Sequence, residues 1–416
     1  MSISTRETTS HVFRRLGLGA FPDRVVASDG LEDAIAAALD LASPAAVPPE
    51  LEPPSSMESA RDREANRPIL EFWFEQMLTS DRLIEERLIW FWHDHFATSI
   101  LKVKVPYLMW LQHLTFRRLA TGNFADLLHA IAIDPAMLMY LDGTQNRRGA
   151  VNENFGREVM ELFTVGHGNF HEDDVIAASR AFTGWVVNIP DRRWTLPDRA
   201  PWSAVFVPFR HDNGPKTFHG TTGPIDTAGA IDVLLDHPAT ARSIASKLYT
   251  ELVGAPPDEA TRDSLAVDFR RDYEVMPLVE SIVGHPDFTS ATAIRSKVAT
   301  PLERALGAVR GFGDKTDLAV RAAARYLDVV DYFPFRPPNV AGYPEGPRLL
   351  GPHQLIHGFD LAHVPRAPVP DLTPEALLNR LGVFDISEST FAVLENASTP
   401  ETRFALAINS PEVMLT

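Results

Sequence analysis

Apolar residues return at helical spacing along almost the whole chain, and this recurrence limits the possible folds more than any other feature. Leu31 to Leu41, Glu64 to Leu78, Asp81 to Phe91, Tyr107 to Leu119, Phe124 to Ile133 and Glu172 to Phe182 each predict a helix. Asp134-Pro135 reads as a further helix start, with proline at the first position. Helical spacing resumes at Thr227 and runs to the C-terminus, interrupted by a proline-rich loop from Tyr332 to Gly346. Between Trp185 and about Phe218 the pattern is lost. Pro, Trp, Val and Phe dominate there, and Val186 to Ile189 and Ala204 to Val207 predict short strands. A stretch rich in Pro, Ser and Glu from Ser43 to about Ser59 predicts a flexible loop. There is no βαβ alternation, no glycine-rich phosphate loop and no repeat of about 20 to 50 residues. The expectation is one continuous domain over residues 1–416, a large and mainly α multi-helix fold. Its irregular, partly β insert falls around residues 185–220.

A chain of 416 residues with 45% hydrophobic content can bury a large core. Its net charge of −16 argues against nucleic acid and against anionic membranes as partners. The absence of cysteine excludes disulfides, thiolate metal sites, Fe–S clusters and a cysteine nucleophile. The opening residues Met-Ser-Ile-Ser-Thr-Arg-Glu contain no apolar leader, and no run of about 18 apolar residues occurs, so a soluble cytoplasmic protein is expected.

Polar chemistry is densest between Asn152 and Gly166. On a helix, Asn154, Arg157, Glu158 and Glu161 fall within an arc of about 100°, while Phe155, Val159, Leu162 and Phe163 form the core stripe. Gly166 stands at the expected helix stop, and Arg157 and Glu161 have the spacing of an ion pair. A second concentration, Trp90 to Ser99, carries His93 and His95. Imidazole is a common ligand of transition metals, but mid-helix these two would diverge by roughly 200° and converge only if the helix frays. A third, Arg210 to Gly220, sets His211, Asp212 and Lys216 around an Asn-Gly-Pro turn that can fold back into a cleft. Trp185, Trp194 and Trp202 are candidate stacking surfaces, and His167, His171, Asp173 and Asp174 read mainly as helix-end residues.

These segments resemble the bacterial family catalogued as the domain of unknown function DUF1800. The likeness is carried by His11-Val-Phe-Arg-Arg-Leu-Gly-Leu-Gly-Ala20, Phe91 through Ser99, Asp134 through Asp142, Asn152 through Trp185, His211 through Phe218 and Phe335 through Gly342. The resemblance implies an exported protein, often encoded beside a sulfatase-like partner, and supplies no reaction. The chain departs from the family pattern in lacking an export signal, in Gly156 where a helix former such as Ala is usual, and in Tyr343 where Trp is usual.

Taken together, the residues suggest a metal-dependent enzyme, with a divalent Fe, Mn or Zn ion held by ligands drawn from His93, His95, His211, Glu158 and Glu161. Glu158, Glu161, Arg157, Lys216 and Asp212 would carry the chemistry, with Arg157 and Lys216 gripping an anionic group. Asn152, Asn154, Trp185 and Asn339 would contact a small-molecule or carbohydrate substrate. Hydrolysis by metal-bound water is favoured by the lack of an organic-cofactor motif and by the implied family neighbours. The alternatives are a metal-free carboxylate glycosidase or lyase, a metal-dependent oxidoreductase, and a non-catalytic helical scaffold whose polar stripe fixes the fold. Oligomeric state is not legible.

Overall fold

Side-chain caps and prolines set many of the helix starts. Asp134 accepts from Met137 N at 2.9 Å and precedes the Pro135–Tyr140 helix, as its Asp-Pro pair predicts. Asn123 opens Phe124–Ala132, and Thr373 and Thr399, each followed by proline, open Pro374–Arg380 and Pro400–Ala407. The computed structural model describes residues 3–62, 64, 67–192, 195–312, 317–364 and 369–416. Trp194, one of the candidate stacking rings, lies outside them.

The helices expected from periodicity are present with shifted ends: Leu31–Leu39, Arg67–Thr79, Leu83–His95, Pro106–Leu119, Phe124–Ala132 and Glu172–Ala181. The fold is a large, mainly helical domain. A continuous cluster of buried apolar side chains runs from Val12 to Ile408 and includes Trp73, Trp92 and Trp110, each at most 1% exposed. The Leu83–His95 helix is buried on nearly every side: Leu88, Ile89 and Trp92 meet the core, and Arg87 is sunk among buried polar partners. Residues 40–55, which include most of the expected loop, carry no helix or strand.

The insert holds two separate antiparallel pairs. Trp185–Val187 pairs with Ala204–Phe206, which matches the two predicted strands. Lys216–Phe218 pairs with Thr221–Gly223 in a hairpin that the sequence pattern does not reveal. At three residues each, those strands are too short to display alternation.

The segment from Asn152 departs from a simple helix. Asn154–Glu158 is α-helical, but Val159–Phe163 winds as a π-helix before Gly166 turns at φ +81°. Such single π turns are rare and cluster at functional sites. Gly156 owes its place to packing: a Cβ there would lie 2.4 Å from Ser179 Oγ and 3.0 Å from Ser179 N. The helix cost of glycine is thus offset by close approach to Glu172–Ala181. Among the described residues, no helix is long and apolar enough to cross a membrane.

Candidate active-site cleft

A cleft of about 730 Å³ opens where five parts of the chain meet. Its walls include Trp90, Asp94 and His95 from one helix end, Lys247 and Glu251 from the Pro238–Val253 helix, Ser296 and Lys297, and Tyr332, Tyr343 and Glu345 from the proline-rich loop. Leu162 of the π turn completes it. Tyr343 stacks on Trp90, with centroids 5.2 Å apart and planes at 26°, and its hydroxyl donates to Phe333 O at 2.6 Å. Tyr343 therefore gives the cleft an aromatic wall and ties that wall to the loop through its hydroxyl.

Asp94 sits between the two predicted ligands His93 and His95 and was not picked out by the sequence pattern. Its Oδ1 accepts from Tyr343 N at 2.7 Å. Gly342, at φ +93°, makes that contact possible, because a Cβ there would fall 2.3 Å from the same oxygen. The segments Phe91–Ser99 and Phe335–Gly342, far apart in sequence, thus meet at this carboxyl. Burial pushes Asp94 up to about 8 against the Tyr343 hydrogen bond, with the nearby charges of Glu345 and Glu251 adding to the rise. A carboxyl in that state is a proton donor at neutral pH.

His95 and Lys247 clasp the end of the π turn. The Phe163 carbonyl can only accept, so the His95 ring N–H at Nε2 donates to it, at 3.2 Å, and Nδ1 is left as an acceptor. The Lys247 Nζ lies 3.4 Å from that Nδ1 and donates to Leu162 O at 2.6 Å. Burial lowers Lys247 to about 8, opposed by Asp94 and Glu345. Burial and the Lys247 charge hold His95 well below its ordinary range, so its ring is neutral.

A buried ionic network lies beneath. Arg87 reaches Glu251 at 2.8 Å and Glu303 at 2.6 Å, and also donates to the carbonyls of Arg14 and Gly17. Lys297 pairs with the same Glu251. Although burial alone would raise Glu303, Arg87 and Lys297 hold it down at about 2. Glu345 is raised by burial and by the neighbouring Glu251 charge. The cleft floor therefore keeps Glu251 committed to two cations and leaves Asp94 and Lys247 as the less committed pair.

Of the candidate catalytic, binding and metal-ligating residues that the sequence brought forward, only His95 lines this cleft. The helix continues through His95, so the two imidazoles diverge as helical geometry requires. His93 points into the core among Trp73, Trp90 and Phe335; its Nε2 accepts from Phe335 N at 3.2 Å, and burial depresses it to about 3. His211 is buried in the insert, where its Nδ1 lies 2.9 Å from Thr183 O and 3.1 Å from Thr183 Oγ1. Asp212 holds Arg180 through both oxygens, at 2.8 and 3.2 Å, and that partnership keeps it at about 2. Lys216 is buried against the carbonyls of Asp212 and Gly214, at 2.6 and 3.1 Å, and closes its own turn.

The polar stripe is engaged elsewhere. Arg157 pairs with Glu172 and, more distantly, with Glu153 rather than with Glu161. Glu161 faces His167 at 3.2 Å. Glu158 is half-buried and is raised by burial and by the adjacent Glu161 charge. Asn152 receives the Asn154 N–H at 2.9 Å, and Asn154 donates to Asp142. Trp185 donates from its indole to Thr227 Oγ1 at 2.9 Å and packs on Phe206. Asn339 is exposed and caps the Ala341 N–H at 2.8 Å, next to the cleft-lining Val340 and Ala341.

These placements correct the expected chemistry. Among the described residues, no group of three or more His, Cys, Asp or Glu side chains is arranged to hold a metal ion. The divalent Fe, Mn or Zn centre drawn from His93, His95, His211, Glu158 and Glu161 is therefore not supported, and with it fall the metal-dependent hydrolase and oxidoreductase readings. The physical cause is divergence: one imidazole faces the core, one the cleft and one the insert, while the two glutamates face His167 and each other's charge.

A search of curated proteins and a search of solved structures each returned no match. The sequence profile described as "Protein of unknown function (DUF1800)" matches residues 11–415, and the chain belongs to that family.

Proposed function

We propose that the protein binds a small polar molecule in the aromatic-walled cleft and transfers a proton to or from it without a metal ion. Asp94 acts as the acid, and Lys247 is the amine opposite. The observation that carries this reading is a carboxyl protonated at neutral pH, raised to about 8, sharing one cleft with a lysine lowered to about the same value. Titratable pairs whose ordinary values are pulled toward neutrality are suited to acid–base work. Trp90 and Tyr343 offer flat apolar walls, and Lys297, Glu345 and Ser296 offer polar contacts, a mixture typical of small-molecule sites.

The test is a thermal-shift survey of small polar compounds (hydroxy acids, keto acids, sugars and amino acids) on the wild type and on Asp94→Asn and Lys247→Met. Compounds that raise the melting temperature of the wild type and lose most of that effect in both variants support the site. Stabilisation that persists undiminished in both variants, or none from any compound class, overturns it.

A further inference from the structure

Lys247 stands apart among the lysines of this chain. Six of the 39 basic residues are lysine. Lys102 is paired with Asp142, Lys297 with Glu251, and Lys216 is enclosed by its own turn. Lys104 is exposed, and Lys315 lies outside the described residues. Lys247 lines the cleft but forms no ion pair among the described residues; its two hydrogen-bond partners, Leu162 O and His95 Nδ1, are both neutral.

That count of partners matters chemically. A neutral primary amine has two N–H bonds and one lone pair. Two neutral acceptors use both N–H bonds and leave the lone pair without a hydrogen-bond partner, on a side chain that lines the cleft. An amine so held is a nucleophile rather than a counter-ion. Asp94, on another wall of the same cleft, supplies a proton. The tautomer of His95 is fixed by the Phe163 carbonyl, so the acceptor facing Lys247 cannot turn into a donor without breaking that bond.

We propose that Lys247 forms an imine with a small aldehyde or ketone held in this cleft, with Asp94 as the proton donor. The inference rests on the acid–base reading of the same site and narrows its substrate class to carbonyl compounds. The lone pair of Nζ forms a bond to the carbonyl carbon, the C=O π pair moves to oxygen, and one of the two protons on the nitrogen passes to that oxygen to give a neutral carbinolamine. The C–O bond then breaks as Asp94 gives a proton to the departing hydroxyl. The nitrogen loses its remaining proton, which restores Asp94. One amine and one carbonyl become one imine and one water, with no oxidant or reductant consumed. Lys297, paired to Glu251 on the floor, is a fixed cation that suits a carboxylate or hydroxyl elsewhere on the same molecule.

The test is reductive trapping on the wild-type protein. Pyruvate, dihydroxyacetone and benzaldehyde are each supplied with sodium cyanoborohydride at neutral pH, and the sites of modification are mapped by peptide mass spectrometry. With only six lysines, the map is short. At least one probe is expected to modify Lys247 on the order of a hundred-fold faster than Lys102 or Lys104, because an amine lowered to about 8 holds far more of its neutral form at neutral pH than a free lysine does. Lys247→Arg keeps a donor to Leu162 O and should abolish the fast phase. Asp94→Asn keeps the amine and should slow it. Modification confined to Lys102, Lys104 or the N-terminus, with Lys247 untouched, overturns the imine and identifies Lys247 as a clasp on the π turn. If compounds still stabilise the wild type in an Asp94-dependent way, the imine falls alone. If none does, the acid–base reading falls with it.

Discussion

The stripe from Asn154 to Glu161 and the cleft around Asp94 and Lys247 use the same kinds of side chain and touch opposite ends of one π turn. In the stripe, charges are close in sequence and satisfied locally: Arg157 by Glu153 and Glu172, and Glu161 by His167. In the cleft, Asp94, Lys247, Lys297 and Glu345 are brought together from distant parts of the chain, and burial shifts two of them by a large amount. Proximity in sequence favours cheap exposed pairs, whereas solitary charges carried into a packed interior are the ones with chemistry to offer.

The largest expected effect lies under the cleft. Arg87→Met removes the shared cation of Glu251 and Glu303 and leaves Glu303 buried without it, which should cost about 3–5 kcal/mol in urea unfolding at neutral pH. A loss below about 1 kcal/mol would place the network with the stripe rather than with the cleft. Next comes a pH effect at Asp94. The folded chain keeps this carboxyl protonated up to about 8, whereas an unfolded Asp ionises near its ordinary value of 3.8. The unfolded state therefore gains as pH rises between those values, and the wild type loses stability across that window. Asp94→Asn can still accept from Tyr343 N and escapes this loss. Its stability relative to wild type should climb between about pH 5 and pH 8, by roughly 3–4 kcal/mol. A pH-independent difference between the two melting curves would deny the burial of charge on which the comparison depends. The smallest effect is expected in the stripe. Arg157→Ala and Glu161→Gln should leave both the melting temperature and any cleft-dependent stabilisation unchanged. A loss of ligand response in either variant would erase the distinction between the two regions.

What could be read from the sequence divides along the same line. Helices such as Pro106–Leu119 and Phe124–Ala132 were legible because burial along a helix imposes a period on every residue. The Trp185–Val187 and Ala204–Phe206 pair was legible from β-branched and aromatic residues between prolines, and the Lys216–Phe218 hairpin was too short to be. The π turn was invisible, since Val159–Phe163 carries the same apolar spacing as the α-helix expected there. The cleft was nearly so. Asp94 was hidden between two more conspicuous histidines, and Lys247, Lys297 and Glu345 have no chemically suggestive neighbours. One signal was available: in a chain with so few lysines, Lys247 and Lys297 stand alone within long lysine-free stretches, and both line one cavity.

The π turn has a mechanical consequence of its own. Leu162 and Phe163 end the winding, where the last carbonyls find no later amide within the helix, and the two are taken instead by a lysine and a histidine on other helices. The backbone that carries Glu158 and Glu161 at the surface is thereby bolted to the amine inside. A displacement of that turn must either carry the nitrogen of Lys247 with it or break the hydrogen bond to Leu162 O.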